Sequence, residues 1–147
     1  DMNAHLKEQG GNLQDEARKI RYNFFADYVK SHSILMTAHH FDDQMETFFM
    51  HLSRKSGIAG MSCMAEKNDQ HWRPLLAFRK AELYAYAKEH QLAFREDKSN
   101  QENKYLRNRW RNEWIPMMEK ANTQLAESIQ ILVKAFQKER DLLEKEI

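Results

Sequence analysis

Acidic and histidine side chains are concentrated in one short stretch, Thr37–Thr47, which reads TAHHFDDQMET. On a helix that begins near His40, the side chains of Asp42, Asp43 and Glu46 fall near one face, because residues three and four apart are neighbours on a helix surface. Clustered carboxylates at that position can hold Mg²⁺, bind an ammonium group or act as a general base. Acids also simply suit a helix N-terminus, where the helix dipole favours negative charge. We favour a functional site.

Two adjacent histidines, His39 and His40, are candidate metal ligands, as in hydrolases that use His–Asp clusters. Neighbouring residues on a strand point to opposite faces, so both cannot easily bind one ion. We expect at least one of them to face a pocket, without a transition metal. A metal-dependent hydrolase that uses both histidines with Asp42 and Asp43 is an alternative function.

A basic segment, Lys104–Asn112, reads KYLRNRWRN and contains four cationic side chains and no acid. Arginines interleaved with aromatic rings suit phosphate contact and base stacking, although a solvated helix face with Trp110 in the core would have the same composition. A non-enzymatic helical RNA-binding module is therefore a second alternative. The residues that we expect to contact RNA are Lys104, Tyr105, Arg109 and Arg111.

A third segment, Arg54–Gly60, combines basic residues with two glycines. Successive backbone N–H groups in such a turn can cradle an anion. Gly57 can equally mark the end of a helix.

Composition restricts the class of protein. The chain has 147 residues, a net charge of +1, 41% hydrophobic and 31% charged residues, which suits one globular domain or part of a larger one. A net charge this small excludes a global attraction to nucleic acid, so any such attraction is local. Cys63 is the only cysteine, which excludes an internal disulfide and makes a reducing, cytoplasmic setting the default. No apolar run approaches the ~20 residues that span a bilayer.

Hydrophobic periodicity predicts the elements that position these residues. Ser33–Ala38 reads as a buried strand, and Arg73–Leu76 reads as a short extended piece because Pro74 disfavours helix at the residue before it. A single buried strand needs neighbours, so the protein is mostly helical or the partner strands lie in sequence outside this chain. Pro116 is the best candidate domain boundary. Helices are predicted over Leu13–Tyr28, Phe41–Leu52, Arg79–His90 and from Leu125 to the end of the chain.

Taken together, the motifs resemble those of the bacterial tRNA(Ile)-lysidine synthetases, which belong to the N-type ATP pyrophosphatases. The resemblance covers about residues 11–116, and Thr37–Thr47 is its most specific motif. The other motifs follow in the family's order and are Ala17–Tyr22, Arg54–Gly60, Arg73–Leu76, Glu96–Asn100 and Tyr105–Arg111.

The resemblance implies an α/β fold. Residues 1–115 would be the C-terminal part of a Rossmann-like ATP-pyrophosphatase domain, mostly helical as it stands, and residues 116–147 would begin a helical linker or second domain. The family's Ser-Gly-Gly-x-Asp-Ser phosphate loop, the strand after it and the C-terminal tRNA-binding domain have no counterpart in this sequence. We therefore expect a fragment that is inactive on its own.

The resemblance also implies an activity. ATP would adenylate the C2 carbonyl oxygen of the wobble cytidine in an isoleucine tRNA with a CAU anticodon, and the ε-amino group of free L-lysine would displace AMP to give lysidine. The implied cofactors are ATP and Mg²⁺, and the implied location is the cytoplasm. A homodimer is compatible with the sequence.

The implied chemistry assigns roles to individual residues. A lysine ammonium has an ordinary pKa of about 10.4, so it must be bound by acids and lose a proton before it attacks. The expected catalytic residues are Asp42, Asp43, Glu46 and Arg107. The expected ATP-binding residues are Arg18, His39, Arg54 and Gly57. Asp43 and Glu46 are the expected Mg²⁺ ligands.

Overall fold

A computed structural model describes residues 13–29, 33–68, 70–95, 103 and 105–145. Its contacts divide the chain into two compact units. The first comprises the chain up to Met36 together with Lys67–Trp72, and the second comprises Thr37–Glu66 together with the chain from Arg73 onward.

The first unit holds helix α1 (Leu13–Tyr28) and strands β1 (Leu35–Met36) and β2 (His71–Trp72). The strands pair in parallel, with Leu35 opposite His71 and Met36 opposite Trp72. Parallel strands need a crossover connection, and residues 37–70 supply it. The predicted helix over Leu13–Tyr28 is confirmed residue for residue.

The second unit holds most of the helices. These are α2 (Phe41–Ser53), α3 (Ile58–Met61), α4 (Lys80–Glu89), α5 (Leu106–Arg109), α6 (Ile115–Ala121) and α7 (Leu125–Leu143). A π-helical turn, Trp110–Trp114, joins α5 to α6 without a break.

The core of the second unit forms where α2, α3, α6 and α7 meet. Its buried apolar side chains are Phe41, Met45, Phe48, Phe49, Met61, Ile115, Ile129 and Val133. Trp110 stacks on Phe49 with 4.9 Å between ring centroids, which fixes the π-helical turn against α2. The amphipathic spacing that predicts α2 and α7 is the spacing of these buried positions.

The π-helical turn accommodates a spacing that an α-helix does not. Trp110 and Ile115 both pack into the core although five residues separate them. Five residues turn an α-helix well past one revolution, because the repeat is 3.6 residues. The wider π turn brings the two side chains back to the same face.

Several predicted elements need correction. Within Ser33–Ala38 only two residues form a strand, and one of them, Met36, is 57% exposed. The strand is exposed because β2 is the one strand that pairs with it among the described residues. Arg73–Leu76 is not extended. Leu76 donates its backbone N–H to the Arg73 carbonyl in a turn, and the extended residues are the two just before it, His71 and Trp72.

The predicted boundary at Pro116 does not coincide with a break in the chain. Pro116 is the second residue of α6 and directly follows the π-helical turn and Ile115. Residues 106–121 are continuously helical across it, and the chain on both sides belongs to the second unit.

The fold class is thus α/β, with a small parallel sheet and a majority of helix in the described chain. The larger Rossmann-like sheet implied by the resemblance stays a prediction. Within the residues that the structure describes, no helix has the length and apolarity to cross a membrane.

Candidate active site

The site is built on the first two turns of α2. His40 caps this helix: its Nδ1 accepts the Asp43 backbone N–H (3.3 Å), and the Asp43 Oδ2 accepts the His40 backbone N–H (3.0 Å). This reciprocal capping box satisfies two backbone donors at the helix start. The predicted start of the helix near His40 is confirmed, and the cap holds Asp43 in a fixed orientation.

Glu46 is the most deeply buried acid of the site, with 1% of its side chain exposed. The Nε atoms of Arg107 and Arg111 each donate to one of its oxygens at 2.6 Å, and Arg111 Nη2 adds a third bond at 3.1 Å. Charge-assisted bonds of this length are strong, and they compensate the cost of burying the charge.

Asp43 shares the same two arginines through longer contacts. Its Oδ1 lies 3.2 Å from Arg111 Nη2 and 3.4 Å from Arg107 Nη2, and 12% of its side chain is exposed. We name Asp43, Glu46, Arg107 and Arg111 the acid–arginine cluster. Two carboxylates face two guanidinium groups in it, so the cluster is electrically balanced.

Asp42 belongs to a separate network. Its Oδ1 accepts from Arg79 Nη2 (3.0 Å) and Nε (3.3 Å), and its Oδ2 accepts the Lys80 backbone N–H (2.7 Å). Arg79 Nη1 also donates to Glu119 Oε1 (2.8 Å). We name these contacts the Arg79 clamp. They join the starts of α2 and α4 to α6.

Hydrogen bonds between acids and arginines shift the pKa values of Asp42, Arg79 and Arg111. Burial opposes the charged form of Asp42, but the Lys80 amide and the Arg79 guanidinium outweigh it and hold the pKa of Asp42 below its ordinary value of 3.8. For Arg79, burial favours the neutral form, while the bonds to Glu119 and Asp42 raise its pKa. The pKa of Arg111 is likewise raised, since Glu46 and Asp43 outweigh the effect of burial. Both arginines therefore stay charged.

The expectation that three acids share one face holds in part. Asp43 and Glu46 meet the same pair of arginines, whereas Asp42, one position earlier, contacts Arg79. Arg111, which we expected to contact RNA, points inward to Glu46 with 23% of its side chain exposed. A buried carboxylate holds the Arg111 guanidinium, and RNA contact by Arg111 stays a prediction.

A magnesium ion bound by Asp43 and Glu46 does not fit this arrangement. Guanidinium nitrogens lie within 3.4 Å of oxygens on both carboxylates, and a dication at the same oxygens would repel them. In the described chain, no group of three or more His, Cys, Asp or Glu side chains is arranged to hold a metal. Both predicted Mg²⁺ ligands have arginine partners in this arrangement, and Mg²⁺ binding by them stays a prediction.

The predicted ATP-binding residues are not brought together. His39 precedes α2, where its Nδ1 lies 2.8 Å from Thr37 Oγ1, and Arg54 caps the opposite end of the helix. Thirteen residues of helix separate them by about 20 Å at 1.5 Å per residue, too far to contact one phosphate. The side chain of Arg18 lies outside the described residues.

The turn before Gly57 is not an anion cradle either. The backbone N–H groups of Arg54, Lys55 and Ser56 donate to carbonyls of His51 and Leu52, so they end α2 and cannot also bind a phosphate. A Cβ on Gly60 would lie 2.5 Å from the Ser56 Cβ, which explains the second glycine by close packing. Gly57 does not end α2 either, because Arg54 is the C-cap of α2, Lys55 takes the left-handed conformation (φ 55°) and Gly57 is the N-cap of α3.

The expected RNA-binding residues divide between the two faces of α5 and the π-helical turn. Arg109 faces outward, 49% exposed, with its guanidinium 4.7 Å from the Trp114 ring centroid. Tyr105 is the N-cap residue of α5 and is half-buried. Lys104 lies outside the described residues. RNA contact by these residues stays a prediction.

Arg79 and Glu119 were absent from the predicted site. Arg79 stands at the N-cap of α4, where a large cation is unusual because small polar residues normally fill that position. That mismatch was the signal available in the sequence. No pattern links Glu119, 40 positions further on, to the site.

Known proteins resemble this chain in sequence. A family model described as PP-loop domain matches residues 1–118. The tRNA(Ile)-lysidine synthase of Haemophilus ducreyi is 43% identical over 110 residues, which cover 72% of this chain and 26% of that protein. The synthase of Wolbachia pipientis wMel is 44% identical over 117 residues (76% and 27%), and that of Enterococcus faecalis is 38% identical over 128 residues (83% and 28%).

These relatives confirm the resemblance stated from the motifs, although this chain spans little more than a quarter of their length. The family model covers most of the chain. The chain belongs to the PP-loop domain family.

Proposed function

We propose that this chain forms part of the active site of a tRNA(Ile)-lysidine synthase, an ATP-dependent ligase that joins lysine to the wobble cytidine of an isoleucine tRNA. The relatives bear that name and align over most of this chain. The single observation that carries the proposal is the acid–arginine cluster, which is built on the first two turns of α2.

Asp43 is the acid best suited to receive the substrate ammonium. Its contacts to Arg107 and Arg111 are long, at 3.4 Å and 3.2 Å, so an ammonium at Asp43 replaces only these contacts. A Mg²⁺ ion shared with Glu46 would also have to displace the two 2.6 Å bonds of that acid. Glu46 accepts two bonds of 2.6 Å and is nearly inaccessible. We assign Asp43 to bind the lysine ε-ammonium and to accept its proton, and Glu46 to hold the two arginines in place.

Arg107 is the better placed of the two arginines to reach a substrate. It exposes 30% of its side chain against 23% for Arg111. A guanidinium beside the attacking amine stabilises negative charge that develops on the departing phosphate. Arg111, held by three bonds to the two acids, orients Glu46.

ATP and the tRNA complete the proposed reaction. The PP-loop family and the names of the relatives support ATP use, with Mg²⁺ accompanying the nucleotide rather than bound by Asp43 and Glu46. Arg109 on Trp114, with Lys104 and Tyr105, is the proposed contact to tRNA, because a cation over an aromatic ring suits base stacking. Free L-lysine is the third substrate.

The test uses the complete protein encoded by the reading frame that contains these residues. Incubated with ATP, Mg²⁺, labelled lysine and a tRNA(Ile) transcript with a CAU anticodon, it should incorporate lysine into the tRNA and release AMP. Asp43→Asn should reduce incorporation by at least about a hundredfold, the order expected for loss of a general base. Asp141→Asn, in an exposed aspartate of α7, is the matched control and should leave activity unchanged.

Two outcomes would refute the proposal. The wild-type protein incorporates no lysine, or Asp43→Asn retains the activity of the Asp141→Asn control. The metal-dependent hydrolase is not supported, because the two acids that it needs, Asp42 and Asp43, contact arginines. The non-enzymatic RNA-binding module is not supported by the relatives.

A further inference from the structure

We infer that Arg79 is a positioning residue that sets the spacing between the two walls of the site. One wall is α2, which carries Asp43 and Glu46, and the other is the helix that carries Arg107 and Arg111. The effect on catalysis rests on the proposed function, whereas the effect on spacing does not.

The contacts of Arg79 reach both walls at once. Nε and Nη2 donate to Asp42 in the first turn of α2, and Nη1 donates to Glu119 in α6. Asp42 directly precedes Asp43 in sequence. Residues 106–121 are continuously helical, so Glu119 lies on the same helical segment as Arg107 and Arg111. One side chain thus bonds to both elements that must meet at the cluster.

The start of α4 is held to the same point. The Lys80 backbone N–H donates to Asp42 Oδ2 at 2.7 Å, and the Arg79 backbone N–H donates to Glu82 Oε2 at 2.7 Å. The backbone from which the Arg79 side chain projects is therefore held by hydrogen bonds of both Arg79 and Lys80. Its guanidinium projects from a rigid base, which is what a spacer between two walls requires.

Only an arginine satisfies this geometry. The planar guanidinium presents donors along two edges, so it bonds two oxygens in different directions. A lysine at the same position has one nitrogen, and it would contact Asp42 or Glu119 with poorer geometry. Arg79→Lys therefore keeps the charge and removes the bridge.

The first test measures lysidine formation by the complete encoded protein. Arg79→Lys should raise the KM for lysine on the order of tenfold, because a misplaced acid loses orientation, while the KM for ATP stays within about twofold. The same difference between the two KM values should be absent in Arg140→Lys, a matched change of a partly buried arginine in α7 that bonds to Ser62. Ethylguanidinium added to Arg79→Ala should restore part of the lost affinity for lysine. Equal KM values in Arg79→Lys and wild type would overturn the inference.

The second test does not depend on activity. The coupling between Glu46 and Arg111 is measured from the unfolding of Glu46→Gln, Arg111→Gln and the double variant, in the wild-type and Arg79→Lys backgrounds. If Arg79 sets the spacing, the coupling falls by at least half in the Arg79→Lys background. An unchanged coupling refutes the inference even if the wild-type protein forms lysidine. A loss of coupling supports it even if no lysidine forms and the proposed function fails.

Discussion

Acids in the first two turns of α2 belong to two networks of ion pairs, and the partners of the acids differ between the two networks. In the acid–arginine cluster, Glu46 accepts bonds from two guanidinium groups, and Asp43 accepts the His40 backbone N–H as well as longer guanidinium contacts. In the Arg79 clamp, Asp42 accepts the Lys80 backbone N–H as well as a guanidinium. The backbone bond of Asp43 closes the start of its own helix, whereas the backbone bond of Asp42 ties α2 to the start of α4.

The comparison shows why residue type alone did not separate these acids. Asp42 and Asp43 are identical in chemistry and adjacent in sequence, yet about 100° of helical rotation turns them to different partners. Function follows from the partner, and the partner comes from elements 37 or more residues away.

The largest expected effect concerns Glu46. Glu46→Gln leaves two guanidinium groups facing a neutral amide, and removal of one partner from a buried pair costs about 3 kcal/mol of unfolding free energy. The matched change Glu113→Gln, at an acid with 44% of its side chain exposed, should cost less than about 0.5 kcal/mol. Urea denaturation of both variants measures the difference. Equal costs would show that the cluster does not stabilise the fold.

The two arginines of the cluster should differ from each other. Arg111→Gln should cost about 2 kcal/mol and Arg107→Gln about 1 kcal/mol, because Arg111 makes more bonds to the acids and is less exposed. Denaturation midpoints of the paired variants test the order. A larger cost for Arg107 would reverse the roles proposed for the two side chains.

Asp42 should give a pH-dependent effect. Its pKa is lowered in the folded protein, so its stabilising contribution is present above the ordinary pKa near 3.8 and disappears as the pH falls through the folded value. Asp42→Asn should therefore cost about 1.5 kcal/mol at pH 7, and its cost should shrink below about pH 4. Unfolding measured from pH 7 to pH 3 tests the sign. A cost that grows on acidification would contradict the clamp.

The smallest expected effect concerns Arg109. Arg109→Ala removes an exposed guanidinium from the Trp114 ring and from a 3.7 Å contact to Glu113, and exposed contacts of this kind contribute about 0.5 kcal/mol. Its affinity for tRNA should fall, and the salt dependence of binding should weaken by about one counterion. Filter binding across a range of salt concentrations measures both. Unaltered binding would remove Arg109 from the proposed RNA surface.

The sequence predicted the elements better than their partners. Periodic apolar positions located α1, α2, α4 and α7 to within a residue or so of their observed starts, because one apolar face is enough to define an amphipathic helix. β2 was missed, since a two-residue strand has no periodicity. The prediction of a buried strand over Ser33–Ala38 was wrong, because the burial of a strand depends on neighbouring strands that the local sequence does not specify.

For the candidate site, residue types and spacing indicated the acids and the resemblance indicated Arg107, but neither predicted which side chains contact each other. Arg111 looked like an exposed cation because its segment contains no acid, and its partner Glu46 lies 65 positions away. Arg79 was missed for the same reason. Charges that balance across long sequence separations cannot be paired from a linear pattern.

The π-helical turn gives the continuous helix over residues 106–121 one residue more than an α-helix with the same core contacts would need. Trp110 and Ile115 face the same core across five positions, whereas an α-helix needs about four. Loss of one exposed residue, Asn112 or Glu113, would restore the α-helical repeat without moving Arg107 on one side or Ile115 on the other. The helical segment that carries Arg107 and Arg111 is therefore compatible with two lengths. A one-residue deletion in the π-helical turn would be absorbed there and would not shift the register of the residues that follow.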